Sequence, residues 1–123
     1  MTVAISEVST NRWKIALSDP GHWKWSKTVT YDSEQKSAEW ILESPQWNGK
    51  QTTLPGMSTA FFGPTSTYTV SGASHPISAG NPVEVLMETE SGQREATPSA
   101  LVDGEEFNDC AWATSCGAPT HAP

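Results

Sequence analysis

Between Arg12 and Leu17 the chain alternates, with Trp13, Ile15 and Leu17 set against Arg12, Lys14 and Ala16, the period-two signature of a half-buried strand. Asp19-Pro20-Gly21 follows. Proline presets φ and glycine tolerates positive φ, so a hairpin is predicted there. The return segment, Trp23 to Tyr31, puts Trp23, Trp25, Val29 and Tyr31 on one face and Lys24, Ser26, Thr28 and Thr30 on the other, with Lys27 the misfit.

After a polar linker from Asp32 to Lys36, Ala38 to Glu43 reads as another strand, because Ser44-Pro45 stops a helix from continuing past it. A short helix from Ser33 to Leu42 is the competing local reading. Ser58 to Phe62, Thr67 to Val70, Val83 to Glu90 and Ser99 to Val102 are further strand candidates between Gly, Pro and Ser punctuation. Asp103-Gly104 signals a hairpin leading into the segment around Phe107. Short strands at roughly ten-residue spacing predict an all-β antiparallel sandwich or barrel. The tail from Ala113 to Pro123 is small, polar and proline-containing, and is expected to be flexible.

A chain of 123 residues with 36% hydrophobic and 17% charged content is expected to fold as one soluble domain, residues 1–112, rather than stay disordered. Fourteen acidic residues outnumber seven basic ones. Lys14, Lys24 and Lys27 are scattered rather than gathered into a track for phosphates, so nucleic acid is not an expected partner. No window reaches the ~20 apolar residues that span a membrane. Met1 to Glu7 lacks the basic and apolar regions of a signal peptide. Cys110 and Cys116 could close a small disulfide loop or remain as two thiols; without a nearby histidine or second cysteine pair they make a poor zinc site.

Ser18, Ser71 and Ser91 lack a nucleophile-elbow context. His22, His75 and His121 read as solvated loop residues. Glu84, Glu88 and Glu90 read as the solvent face of a strand whose other face is Val83, Val85 and Met87. Ala38-Glu39-Trp40-Ile41-Leu42-Glu43 differs, because parity puts Glu39, Ile41 and Glu43 on one face of an otherwise apolar segment. Burial of an unpaired carboxyl raises its pKa and suits it to acid–base work; the bland alternative is a face open to water.

Ser37-Ala38-Glu39-Trp40-Ile41-Leu42-Glu43-Ser44-Pro45 resembles the Ser-Ala-Glu-Trp-Ile-Val-Glu-x-Pro signature of the glutamic peptidases, or eqolisins. Trp13-x-Ile15-x-Leu17-x-Asp19 with Trp25-Ser26 is similar to the family's strand-turn-strand pattern ahead of its glutamate. Leu54-Pro55, Phe62, Pro76-Ile77, Val83 to Thr89, Ala96 to Leu101 and Asp103-Gly104-x-x-Phe107 then follow in family order. The likeness fades at Phe107 to Trp112, where Asn108 and Asp109 replace apolar alternation and a frayed closing strand is expected.

The resemblance implies a sandwich of two packed antiparallel sheets, a secreted, acid-acting endopeptidase with a polypeptide substrate, and no cofactor or metal. It implies a dyad in which a glutamate is general base and then acid while a glutamine amide holds the water and the oxyanion. Residue-by-residue matching puts the glutamate at Glu39, with Glu43 a possible supporting neighbour. Gln35, Gln46, Gln51 and Gln93 all lie outside the family's glutamine context, so none takes that role. The matched part is the C-terminal portion of such a domain. The sandwich is therefore expected to be incomplete, without activity by itself, and able to self-associate through unpaired sheet edges. The competing function is a non-catalytic sandwich that binds carbohydrate or peptide through exposed Trp23, Trp25 and Trp47.

Overall fold

A computed structural model describes residues 1–120; His121 lies outside them. The class expected from the alternation is the one observed: nearly all regular structure is β, arranged as antiparallel, sandwich-like sheets with no barrel. Two compact units divide the chain, Met1–Ser37 and Ala38–Pro123.

The first unit is a three-stranded antiparallel meander of β1 (Thr2–Ser9), β2 (Arg12–Asp19) and β3 (Trp23–Thr30). Asn11, at φ 57°, turns the first corner, and its N–H donates to Glu7 Oε1 at 3.1 Å. The Asp19-Pro20-Gly21 turn forms as predicted: Gly21 takes φ 84° and His22 N–H donates to Asp19 O at 3.0 Å. Cross-strand register gathers Val3, Ile5, Trp13, Ile15, Leu17, Trp23, Trp25 and Val29 on one face. Lys27 shares it, facing Ile15. None of these side chains is fully buried; Ile5 keeps 65% of its surface exposed.

In the second unit β4 (Gln46–Trp47) and β5 (Lys50–Gln51) form a hairpin, as do β7 (Thr67–Val70) and β8 (Ala73–Pro76). β6 (Thr59–Phe62), β9 (Met87–Glu88), β10 (Arg94–Pro98) and β11 (Phe107–Ala111) make a four-stranded sheet in the order β6-β11-β10-β9. Its buried face centres on Leu54, Ala96 and Ala111, against which Leu42, Met57 and Met87 pack. Phe62 and Phe107, directly opposite across β6 and β11, stack with ring centroids 4.6 Å apart.

Several expectations are corrected. Neither a strand nor a helix forms over Ala38 to Glu43; the Leu42 backbone bonds to the Asp109 carboxyl instead of joining a ladder. The Val83–Glu90 strand shrinks to Met87–Glu88, and Val83 and Val85 are exposed rather than packed. Ser99 to Val102 is not a strand; the register falls earlier, on Arg94–Pro98, leaving only an isolated bridge from Val102 to Glu106. Pro98 is tolerated because Ser99 N–H donates to Asn108 O. Alternation therefore turns position 98 away from β11, toward the side where β9 pairs only with Arg94 and Ala96.

The segment from Phe107 is not frayed. β11 lies between β6 and β10, because Phe107, Asp109 and Ala111 all point to the buried face and tertiary packing overrides the low strand propensity of Asn and Asp. The preceding turn is the one the sequence signals: Asp103 and Gly104 take φ 51° and 77°, and Glu105 N–H donates to Val102 O. A Cβ at Gly104 would collide with Ser78 Oγ.

Candidate functional site

Ala38 to Ser44 keeps a strand's alternation without a strand's ladder. Glu39, Ile41 and Glu43 are exposed, Trp40 and Leu42 are half-buried, and Ser44 is buried. The parity read from the sequence therefore holds, but of its two readings the observed one is the face open to water: both carboxylates are exposed rather than buried, and Trp40 turns the other way. Such an arrangement needs anchors other than sheet hydrogen bonds, and two buried carboxyl groups supply them.

Glu95 is the most deeply buried large side chain among the described residues, at 1% exposure. It is the extra residue of a β-bulge, since Arg94 faces Glu88 and Ala96 faces Met87 with Glu95 between. A bulge re-aims the side chain it carries. Its Oε1 accepts from Leu54 N–H at 3.1 Å and its Oε2 from the Ser44 hydroxyl at 3.5 Å. One carboxylate thus grips the chain just before and just after the β4–β5 hairpin. Thr52 closes the same loop by donating to Pro45 O through its N–H, at 3.1 Å, and through its hydroxyl.

Asp109, on central strand β11, is 4% exposed. Burial pushes its carboxyl above the ordinary value of 3.8, and a hydrogen bond with the Leu42 backbone partly opposes that rise. Oδ1 has no hydrogen-bond partner among the described residues, consistent with a group whose charged form is penalised. Between them, Asp109 and Glu95 hold Leu42 and Ser44, the residues on either side of Glu43.

Neither Glu95 nor Asp109 figured among the candidates in the sequence. Asp109 was legible in principle, because the parity that groups Glu39 with Ile41 also groups Asp109 with Phe107 and Ala111. Glu95 was not, because a bulge breaks the alternation on which parity depends.

The glutamines lie in other settings. Gln35 donates to Glu7 Oε2 at 3.2 Å, Gln46 and Gln51 face each other across the β4–β5 hairpin, and Gln93 N–H donates to Thr89 Oγ1 at 3.0 Å. His22 sits in the β2–β3 turn, and His75 stacks on Tyr68 across the β7–β8 hairpin. Trp23, Trp25 and Trp47 are exposed by 46%, 49% and 74%. No group of three or more His, Cys, Asp or Glu among the described residues could hold a metal ion, and no helix among them is long and apolar enough to cross a membrane.

Cys110 and Cys116 form a disulfide. The loop and the residue after it are also tied to the sheet, since Thr97 Oγ1 donates to Ala113 O at 2.6 Å and Asn108 Nδ2 to Gly117 O at 3.0 Å. Comparison with known protein families, curated proteins and solved structures gives no match to this chain.

Proposed function

We propose that the chain is the glutamate-bearing part of a glutamic-type endopeptidase, with Glu39 as its working carboxylate. The observation that carries this reading is the presentation of the Ser37-to-Pro45 signature: Glu39 and Glu43 open to solvent on an extended segment whose inward residues are pinned. An exposed carboxylate on a segment anchored at Leu42 and Ser44 is reachable by a polypeptide and by the water it would activate.

In the proposed reaction Glu39 takes a proton from water as the hydroxide adds to the scissile carbonyl carbon. It returns that proton to the amide nitrogen as the C–N bond breaks, leaving a carboxylic acid and an amine. Glu43 shares the exposed face and raises the local negative charge. The oxyanion needs an amide donor, and none of the four glutamines sits in the family's context for it. The Cys110–Cys116 disulfide favours an oxidising, extracellular setting.

The test is incubation with denatured protein between pH 2 and 5. This reading expects no cleavage by the chain alone. Cleavage lost in Glu39→Gln would show that the dyad is complete after all, and cleavage retained in Glu39→Gln would remove Glu39 from the mechanism.

A second reading has its own support. Trp23 and Trp25 project from one face of β3, two residues apart and half exposed, with Asp19 and Leu17 opposite them. Paired aromatic surfaces of this kind suit carbohydrate or peptide binding. Exposed Trp23 and Trp25 together with a Glu39 buried in a salt bridge would favour this reading over the enzyme; the first condition is met, whereas Glu39 is exposed.

A further inference from the structure

Two sheet edges carry opposite charge. β3 is the outer strand of the meander and β9 an outer strand of the four-stranded sheet, so each has one side with no strand beside it among the described residues. Between Asp19 and Asp32 the chain holds Lys24 and Lys27 and no acidic residue; between Lys50 and Arg94 it holds Glu84, Glu88 and Glu90 and no lysine or arginine. The ion pairs among the described residues join Lys36 to Glu34 and Arg94 to Glu88. Lys24, Lys27, Glu84 and Glu90 are left without an opposite charge.

The acidic edge is longer than β9 itself. Residues 83–86 run into Met87–Glu88 without a turn or bend, and Val83, Glu84 and Val85 take part in no backbone hydrogen bond among the described residues. Val83, Val85 and Leu86 are 84%, 59% and 48% exposed. An extended apolar segment with free N–H and C=O groups is a template for a further strand.

Parity decides how the two edges fit. β3 turns Trp23, Trp25 and Val29 to one face and Lys24, Ser26 and Thr28 to the other, with Lys27 on the apolar face. Carrying the alternation of β9 upstream puts Val83, Val85 and Met87 on one face and Glu84, Leu86 and Glu88 on the other. The pairing phase that sets tryptophans beside valines therefore also sets Lys24 on the face of Glu84 and Glu88. Pairing either edge with its own copy would bring carboxylates against carboxylates or lysines against lysines, which cross-strand neighbours disfavour.

We propose that the partner of the acidic edge is a second copy of this chain: β3 of one copy adds alongside residues 83–88 of the next. Main-chain hydrogen bonds join the edges, Trp23 and Trp25 lie against Val83 and Val85, and Lys24 lies against Glu84. The contact is heterologous. Each copy offers one edge of each kind, so the contact repeats head to tail and builds a ring or an open chain instead of a two-fold dimer. Strand addition extends a sheet sideways, so the apolar face of the meander stays uncovered. The assembly does not depend on the peptidase reading.

The test compares the full wild-type chain with Glu84→Lys/Glu90→Lys, with Lys24→Glu/Lys27→Glu and with a chain carrying all four substitutions. Sedimentation is measured over a wide concentration range at pH 7 and low salt, with amide exchange followed in parallel. All four side chains are exposed, so the variants are expected to keep the fold. Wild type should gain mass with concentration, less so as salt screens the charges, and exchange at residues 83–85 should slow as it does. Each pair of substitutions should weaken association about tenfold, since it replaces attractive cross-strand neighbours by repulsive ones. The chain with all four exchanges the signs of the two edges at unchanged net charge and should recover association.

A wild-type chain that stays monomeric overturns the proposal. So does association that the paired substitutions leave unchanged, or that the four together fail to recover. Mass that rises while exchange at residues 83–85 stays constant places the contact elsewhere and overturns it as well.

Discussion

Asp109 is a carboxyl group held where ionisation is penalised, and the sign of its effect on stability follows from that. Burial raises its folded-state pKa above the ordinary 3.8, so between those two values the folded chain binds more protons than the unfolded one. Stability from this group is then fully present below about 3.8 and is lost as pH rises through the raised value. Asp109→Asn, which keeps an oxygen for Leu42 and cannot ionise, should stabilise the chain at pH 7 and make little difference at pH 3. Urea unfolding across that range checks this, and a pH-independent difference would contradict it. Glu95 contributes through its bonds: Glu95→Ala leaves the buried Leu54 N–H without its acceptor, while the Ser44 hydroxyl keeps Met87 Sδ, and should destabilise by roughly 2 kcal/mol, with Glu95→Gln intermediate. Both residues show where reading a sequence stops. Glu39 and Glu43 stood out because they interrupt an apolar run, whereas Asp109 follows an asparagine in a stretch that propensity marks as weak.

The elements that formed where the sequence predicted them have local causes: a period-two pattern and a flanking turn for β2 and β3, and turn residues on either side for β6 and β7. Those that did not were decided elsewhere. Ala38 to Glu43 has the pattern of a strand, yet its Leu42 backbone bonds to a side chain from β11. β10 contains Glu95 and Pro98, both poor strand residues, and exists because β11 and β9 flank it. The β4–β5 hairpin has a local signal in Asn48-Gly49, a strong turn pair, but its two-residue strands are too short to carry an alternation. Turn glycines give an element-scale prediction. Gly49→Ala has free space around the new Cβ and is strained only by its positive φ, so it should cost about 1 kcal/mol. Gly104→Ala carries the same strain and a collision with Ser78. It should cost more, and Ser78→Ala in the same chain should recover part of the difference. Equal costs in denaturant titrations would count against that account of the Gly104 turn.

Across the whole molecule, burial is uneven. Every side chain of Met1–Ser37 is half-buried or exposed, while the buried residues fall between Ser44 and Ala111. Few buried contacts mean low local stability, so hydrogen exchange should be faster in β1 to β3 than in β10 and β11. Comparable protection in the two units would show that the apolar face of the meander is covered in solution, as self-association through that sheet would cover it. Reducing the Cys110–Cys116 disulfide should lower stability by about 2 kcal/mol, the chain-entropy value for so short a loop. The fold class was legible in the alternation because it is repeated along the chain. The candidate site was legible only as a resemblance around Glu39, because its anchors come from residues more than fifty positions away in sequence. The central claim, that Glu39 sits on a pinned, substrate-facing segment, is tested most directly by following backbone amide and indole resonances while an unfolded polypeptide is added at pH 4. The account predicts perturbation centred on Glu39 to Ser44; perturbation confined to the Trp23, Trp25 and Trp47 indoles, with Glu39 to Ser44 unmoved, would contradict it.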